Sequence, residues 1–135
     1  MSNYTGKCLC GAITAEIVTE PKWVTHCHCP SCRRMSGSAF STYAGFDVSA
    51  VKFTGDIPKK HKSSPGVARH FCGECGSSIA FEGEAWPNEI HLHIGFIREA
   101  GQLQPEAHTY IKTKIEWLHI DEDSLPKHNK FSVEK

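Results

Sequence analysis

The sequence predicts a mainly β fold with short helical turns. Short runs of β-branched and aromatic residues recur between glycine and proline turns, a pattern typical of all-β folds. Segments with helical periodicity are scarce, and seven cysteines stand in three tight groups. A chain of 135 residues fits one domain, which we expect to extend over residues 1–135.

Seven segments are predicted as strands because they are short, rich in β-formers and bounded by turn residues. In chain order they are residues 12–18, 23–27, 38–46, 48–53, 67–72, 78–81 and 89–94. Single helical turns are predicted over 29–35, next to a cysteine group, and over 121–125, which stops before Pro126. Residues 55–66 are predicted to form the longest loop.

The last predicted strand alternates large apolar residues with His91 and His93. A period of two places both histidines on one face of the strand. We interpret that face as half-exposed, which is common in antiparallel sheets.

The overall charge excludes some classes of partner. The chain carries 15 basic and 15 acidic residues, and no basic block stands out, which argues against nucleic acid. No stretch approaches the roughly 20 apolar residues of a membrane span. The first residues lack the charged start and apolar run of a signal peptide. We therefore expect a cytoplasmic protein that binds neither nucleic acid nor membrane, while its oligomeric state stays open.

The cysteines indicate metal binding rather than disulfides. Their number is odd, their spacing is tight and the expected compartment is reducing. Cys72 and Cys75 precede Gly76 and form a metal knuckle, which supplies half of a tetrahedral site. Cys8 and Cys10 supply a second pair, because alternate residues of an extended segment share a face. These four cysteines are predicted to close one structural zinc site.

The remaining cysteines, Cys27, Cys29 and Cys32, are close enough to surround a second ion. Three protein ligands with one open position are typical of catalytic zinc sites. His26 and His28 point away from the cysteines in an extended segment, although a distant histidine remains a possible fourth ligand. Zinc is preferred because the sites are rich in thiolate, but a rubredoxin-like iron site has similar spacing.

A zinc ion held by three thiolates carries one excess negative charge and is a weak Lewis acid for water. Such a site is better suited to binding an incoming thiol, which zinc converts to a thiolate. The thiolate then attacks an electrophilic carbon, or leaves in the reverse reaction. A thiol such as glutathione would bring carboxylates, and Arg33 and Arg34 follow Cys32 as candidates for binding them.

The same motifs resemble the glutathione-dependent formaldehyde-activating enzyme family, also called the CENP-V/GFA domain. The resemblance rests on the three cysteine motifs with their flanking residues, and on matches at Gly37-Ser38, Gly95, Pro105, His108, Trp117 and Leu125-Pro126. It covers nearly the whole chain.

This resemblance implies a β-tent (Mss4-like) fold with two zinc ions per chain. It implies a structural zinc on Cys8, Cys10, Cys72 and Cys75 and a catalytic zinc on Cys27, Cys29 and Cys32. It further implies a carbon–sulfur lyase that forms S-hydroxymethylglutathione from glutathione and formaldehyde, or a related thiol adduct. The alternative is a non-catalytic β-tent module for protein interaction, in which both zinc ions are structural.

Overall fold

The computed structural model describes residues 3–131. Within this range it has ten strands and one α-helix. They are β1 (Tyr4–Lys7), β2 (Ile13–Ile17), β3 (Trp23–Cys27), α1 (Pro30–Ser36), β4 (Ser41–Asp47), β5 (Val51–Gly55), β6 (Lys59–Ser64), β7 (Val67–Phe71), β8 (Ser78–Gly83), β9 (Glu89–His93) and β10 (His108–Thr109).

The strands form two sheets. The small sheet has the order β1-β2-β5, and the large sheet has the order β10-β3-β4-β9-β8-β7-β6. All pairs are antiparallel except β10 with β3. The mainly β class predicted from the sequence is therefore confirmed.

One face of the large sheet packs against the small sheet. Ile13 and Ile17 of β2 belong to the same buried apolar cluster as Phe46 of β4 and Leu92 of β9. Burying these side chains is the main source of stability between the sheets. Because side chains alternate along a strand, the neighbours of Phe46 and Leu92 face the other side of the large sheet.

That second face carries one row of side chains across five adjacent strands. The pairing register aligns Trp23, Gly45, His91, Phe81 and Arg69, on β3, β4, β9, β8 and β7 in that order. These residues are far apart in the sequence. The sheet therefore assembles an aromatic and cationic surface that no local segment contains.

All seven predicted strands are present, with ends shifted by a few residues. Both predicted helical turns also form, as α1 and as a 3-10 turn at Asp121–Asp123. The long loop predicted over 55–66 is wrong, because β6 lies within it and pairs with β7 at the sheet edge. Every side chain of β6 is exposed, so the strand has no apolar pattern for the sequence to reveal.

The predicted half-exposed face of β9 is also wrong. His91 and His93 are only 4% and 7% exposed. The reason is that aromatic side chains cover this face of β9. The rings of Trp23, Trp86 and Phe131 surround His91, and the Tyr43 ring centroid lies 4.6 Å from that of His93. Across residues 3–131, no helix has the length and apolar character needed to cross a bilayer.

Candidate metal centres and substrate pocket

Four cysteines meet at one end of the two sheets. The sulfurs of Cys8, Cys10, Cys72 and Cys75 all lie within 4.8 Å of one another. The Cys8–Cys10 and Cys10–Cys72 sulfur pairs are each 3.8 Å apart. Tetrahedral coordination with sulfur at about 2.3 Å from zinc requires sulfurs about 3.8 Å apart. The four residues therefore fit a closed metal site.

Local backbone geometry prepares the Cys72–Cys75 half of this site. The amide of Gly76 donates to the Cys72 carbonyl at 2.8 Å, and the amide of Glu74 donates to the Cys72 sulfur at 3.4 Å. Gly76 has a φ of 78°, a left-handed conformation that glycine adopts without strain. Hydrogen bonds from Ser77 lower the pKa of the Cys75 thiol to about 5, which favours the thiolate that a metal needs.

The four-cysteine cluster connects the two sheets. Cys8 and Cys10 lie between β1 and β2 of the small sheet, whereas Cys72 and Cys75 lie between β7 and β8 of the large sheet. An ion bound here would cross-link segments more than sixty residues apart in the chain. This position is suited to a structural role.

The other three cysteines meet where β3 ends and α1 begins. The sulfur of Cys32 lies 3.4 Å from that of Cys27 and 3.2 Å from that of Cys29. Cys29 is the N-cap of α1, and its sulfur accepts a hydrogen bond from the Cys32 amide at 3.3 Å. Pro30 follows at the first helical position, where it costs no hydrogen bond. The turn thereby gathers all three sulfurs within 4.8 Å of one another.

Hydrogen bonds within this cluster shift the pKa values of its thiols in different directions. The thiols of Cys27 and Cys32 and the amide of Cys32 lower the pKa of the Cys29 thiol, and the charge of Arg69 acts in the same direction. The shared hydrogen bonds raise the pKa of the Cys27 thiol. These opposite shifts show that the three sulfurs compete for the same protons, which a divalent cation would displace.

Two side chains from other strands contact the cluster. The Tyr43 hydroxyl donates a hydrogen bond to the Cys32 sulfur at 3.4 Å. Arg69 Nη1 lies 3.8 Å from the same sulfur and 3.4 Å from the Tyr43 oxygen. Burial raises the pKa of Tyr43, and the nearby Cys32 thiolate raises it further, so the phenol stays a hydrogen-bond donor. Burial opposes the charge of Arg69, but Cys32 and Tyr43 outweigh it and raise its pKa.

A pocket of about 250 Å³ opens onto the three cysteines. Nearly half of its lining residues are aromatic, and Arg69 is its one Lys or Arg side chain among the described residues. The aromatic side chains that line it are Trp23, Tyr43, Phe81, Trp86, His91, Tyr110 and Phe131. A small apolar cavity with few polar groups beside a metal-binding cluster is typical of a ligand site.

The predicted substrate-binding arginines lie outside this pocket wall. Arg33 Nη1 donates to the His28 carbonyl at 3.3 Å and also to the Thr113 carbonyl. Arg34 is exposed on α1 and lines a recess beside Cys75 instead. The prediction that these two residues bind a substrate carboxylate stays a prediction.

Arg69 and Tyr43 were missed by the sequence analysis. No spacing rule connects them with the cysteines, since they approach only through strand pairing. The signal available in the sequence was one arginine, Arg69, within a predicted strand that is apolar apart from it and His70. A buried arginine is rare unless it is paired, which makes such a position a candidate for function.

The histidines of the second cysteine motif face away from the sulfurs, as predicted. His26 Nδ1 lies 2.8 Å from the Thr42 hydroxyl. His28 Nε2 lies 2.8 Å from His108 Nδ1, and His108 Nε2 lies 2.6 Å from Asp123. Within residues 3–131, no histidine, aspartate or glutamate joins the three-cysteine group as a possible ligand.

Comparisons with known proteins agree with this architecture. The family model for "Glutathione-dependent formaldehyde-activating enzyme" matches residues 3–113. A Schizosaccharomyces pombe protein named as an uncharacterized lyase is 32% identical over 81 residues, which cover 60% of this chain and 58% of that protein. The alignment thus spans under two-thirds of that relative's length.

The fold also resembles a solved structure. A crystal structure of a Rhodobacter sphaeroides protein superposes with a TM-score of 0.58, covering 92% of this chain and 98% of that one at 16% identity. This likeness supports the fold alone. The family match, by contrast, includes all three cysteine motifs. The chain belongs to the glutathione-dependent formaldehyde-activating enzyme family.

Proposed function

We propose that this protein is a zinc-dependent enzyme of the carbon–sulfur lyase type that joins a small thiol, such as glutathione, to an aldehyde and catalyses the reverse reaction. S-hydroxymethylglutathione formation from formaldehyde is the family's named example. The observation that carries this proposal is the three-cysteine cluster at the wall of a pocket. The four-cysteine cluster would hold a second, structural zinc.

The residues around the catalytic cluster have separate roles. Cys27, Cys29 and Cys32 would hold the zinc, which when bound favours the thiolate form of a thiol at its open position. Tyr43 holds Cys32 in place by its hydrogen bond. Arg69 offsets the negative charge of the sulfurs, which otherwise repels an anionic thiolate.

The proton lost by the thiol must reach the carbonyl oxygen of the aldehyde. Tyr43 already donates its proton to Cys32, so we assign this role to Tyr110, the other phenol in the pocket wall. Burial and the charges of the cysteine thiolates raise the pKa of Tyr110 above 10.0, against a hydrogen bond from the Phe131 backbone. The phenol therefore carries a proton to donate at neutral pH.

Arg33 and Arg34 are proposed to bind a carboxylate of the thiol substrate outside the pocket. Arg34 is exposed and available for this contact, whereas Arg33 already has one nitrogen engaged by backbone carbonyls. Bidentate pairing would select a peptide thiol over a simple alkyl thiol.

The binding-module alternative requires a fourth protein ligand at the three-cysteine site. Among residues 3–131 none lies within reach. The pocket is a second point in favour of an enzyme, because a purely structural site has no need of an adjoining cavity.

Cobalt substitution tests the proposed thiol binding directly. We expect saturating glutathione to change the visible spectrum of the cobalt protein, because a further sulfur ligand joins the open site. Calorimetry in buffers of different ionisation enthalpy should show release of a proton from the thiol. Serine in place of Cys29 provides a control in which the catalytic site alone is damaged.

Turnover completes the test. Zinc-loaded protein should accelerate formation of S-hydroxymethylglutathione, or of another thiol–aldehyde adduct, above the uncatalysed rate followed by NMR. If neither glutathione nor another small thiol alters the cobalt spectrum or releases a proton, the enzyme proposal is wrong and the interaction module takes its place.

A further inference from the structure

The pocket is too large for formaldehyde alone. Water occupies about 30 Å³ in the liquid, so formaldehyde, with two heavy atoms, needs on the order of 60 Å³. The pocket beside the cysteines has about 250 Å³. Roughly three times the required space would remain filled with water against aromatic surface, which is unfavourable. The cavity therefore fits a larger apolar group.

The wall also offers little to the polar body of glutathione. The Thr25 hydroxyl donates to the Ala107 carbonyl at 3.0 Å, and the Thr109 hydroxyl donates to the His26 carbonyl at 3.2 Å. Tyr43 donates to Cys32. These side chains have already used their protons within the protein. The ammonium group of a peptide thiol would lose its hydration here without compensation. For its carboxylates the described wall offers Arg69, whose Nη1 already contacts Cys32 and Tyr43.

Rings in the wall contact one another through both faces and edges. His91 makes edge contacts with Trp23 and Trp86, with ring centroids 4.5 Å and 5.3 Å apart. It stacks on Phe81 at 5.4 Å. A bound ring would find edge and face partners of the kind that favour aromatic pairs.

A cationic guest is disfavoured by the charge already present. Aromatic cages also bind quaternary ammonium groups. Here the Arg69 guanidinium lies 5.1 Å from the centre of the Phe81 ring, so a positive charge occupies that surface. Repulsion between the two cations would oppose binding, and a neutral ring would avoid it.

We propose that the aldehyde substrate carries a compact aromatic group, of benzaldehyde size, which fills this pocket. The inference rests on the proposed thiol–aldehyde reaction and specifies its carbon substrate. The thiol sulfur bonds to the carbonyl carbon and the carbonyl π pair moves onto oxygen. Oxygen then takes the proton that the thiol loses, and the product is an aryl-substituted thiohemiacetal. The reaction needs no oxidant or reductant.

Binding of benzyl alcohol, which carries the ring but not the electrophile, tests the pocket without turnover. The full-length, zinc-loaded protein is used with Trp117→Phe, because Trp117 is 68% exposed and adds unrelated fluorescence. The remaining tryptophans, Trp23 and Trp86, both line the pocket. We expect saturable quenching of their emission by benzyl alcohol.

A second variant tests whether benzyl alcohol binds in this pocket. Trp86→Ala should weaken benzyl alcohol binding on the order of tenfold, because a ring partner is lost. Trp86→Phe should restore most of the affinity. Ile57→Ala, at an exposed position outside the wall, should leave the affinity unchanged. Thermal melts confirm that each variant is folded, and calorimetric titration supplies the affinity independently of fluorescence.

Turnover then separates this inference from the proposed function. With glutathione present, benzaldehyde should be preferred over formaldehyde in kcat/KM, and Trp86→Ala should reduce that preference. If formaldehyde is converted but benzyl alcohol does not bind, the aromatic inference is wrong and the proposed function stands. If benzyl alcohol binds but no aldehyde reacts with any thiol, the proposed function fails, and with it the assignment of an aldehyde to the pocket.

Discussion

Arg69 is a charged residue held inside the protein by its surroundings. Its side chain is 5% exposed, and its Nε donates to the Ser63 hydroxyl at 3.0 Å while Nη1 approaches Tyr43 and Cys32. A buried cation is tolerated only when it is paired. At the residue scale, this pairing means that the charge of the three-cysteine cluster and the charge of Arg69 depend on each other.

Arg69→Met should weaken binding of every thiol, whether or not the thiol carries carboxylates. Loss of the cation leaves the negative cluster without its counter-charge, and we expect the Kd of both glutathione and 2-mercaptoethanol to rise about tenfold. Cobalt titration measures both affinities. Arg34→Met is the matched variant and should weaken glutathione alone. Equal thiol affinity in Arg69→Met and wild type would contradict the role assigned to Arg69.

Tyr110→Phe should reduce kcat with little change in thiol affinity. The substitution removes one oxygen from the pocket wall, and with it the proton donor proposed for the carbonyl oxygen. General acid catalysis contributes 100-fold or more, so we expect kcat to fall about 100-fold. Steady-state kinetics measures this loss, and the cobalt spectrum with glutathione should be unchanged. A normal kcat would show that the proton comes from elsewhere.

At the scale of elements, the position of Trp23 on β3 depends on one small residue, Gly45, on the neighbouring strand β4. Trp23 pairs with Gly45, and a Cβ on Gly45 would lie 2.4 Å from the Trp23 ring. The indole therefore lies directly over the glycine. Close packing of this kind leaves no room for a methyl group without movement of the ring.

Gly45→Ala should destabilise the protein and disturb the pocket together. Overpacking costs about 1–3 kcal/mol, and the displaced Trp23 ring would enter the space proposed for substrate. Urea unfolding gives the loss of stability and tryptophan emission reports the ring. Gly101→Ala is the control, since a Cβ there meets no atom within 4 Å. Equal stability of the two variants would contradict the close-packing argument.

The two cysteine clusters should respond differently to the loss of a ligand. Cys72→Ala removes the connection between the β1–β2 and β7–β8 segments, and a structural zinc contributes roughly 10–16 kcal/mol in small domains. That contribution is comparable to the stability of a whole domain, so we expect this variant to be unfolded. Cys29→Ala should stay folded and lose activity, because its cluster lies within one short segment.

Thermal melting monitored by circular dichroism tests both expectations. A Cys72→Ala variant that melts like the wild type would disprove the structural assignment of the four-cysteine cluster. An unfolded Cys29→Ala variant would show that the second cluster is structural too.

At the scale of the whole molecule, a network of charges connects the ends of three neighbouring strands. Lys22 lies 2.8 Å from Asp47 and 3.2 Å from Glu89, and His91 Nε2 lies 3.0 Å from Glu89. Burial alone raises the pKa of Glu89, but the hydrogen bonds from His91 and Lys22 outweigh it and hold the pKa below 4.5.

This lowered pKa predicts a loss of stability in acid. A carboxyl group whose pKa is lower in the folded state stabilises the protein above its unfolded pKa, and the contribution disappears as pH falls through the folded pKa. Glu89→Gln should therefore cost on the order of 1 kcal/mol at pH near 6, and this difference from wild type should shrink below about pH 4.5.

Urea unfolding across this pH range measures the difference. Acid also releases metal from cysteine sites and would then unfold the protein, so the comparison is made over the pH range in which circular dichroism shows both wild type and variant to be folded. Glu116→Gln, at an exposed position, is the matched control and should show no pH-dependent difference. A constant effect of Glu89→Gln at all pH values would contradict the predicted role of this carboxylate.

The sequence by itself determined the strands with an apolar pattern and the grouping of the cysteines. Spacing was sufficient for the metal clusters because each half-site is local, as in Cys27 to Cys32 or Cys72 to Cys75. Pattern failed for β6, whose side chains are all exposed. It also failed for His91 and His93, because periodicity does not show which rings from other segments cover a strand face.

Only the tertiary structure decided the composition of the pocket. Trp23, His91, Phe81 and Arg69 come from four strands, and they meet because strand order and register align them across one face. A shift of one residue in any strand would turn its side chain toward the opposite face. Local sequence motifs supply the cysteine side chains of the two clusters, whereas long-range strand pairing determines which other side chains lie beside them.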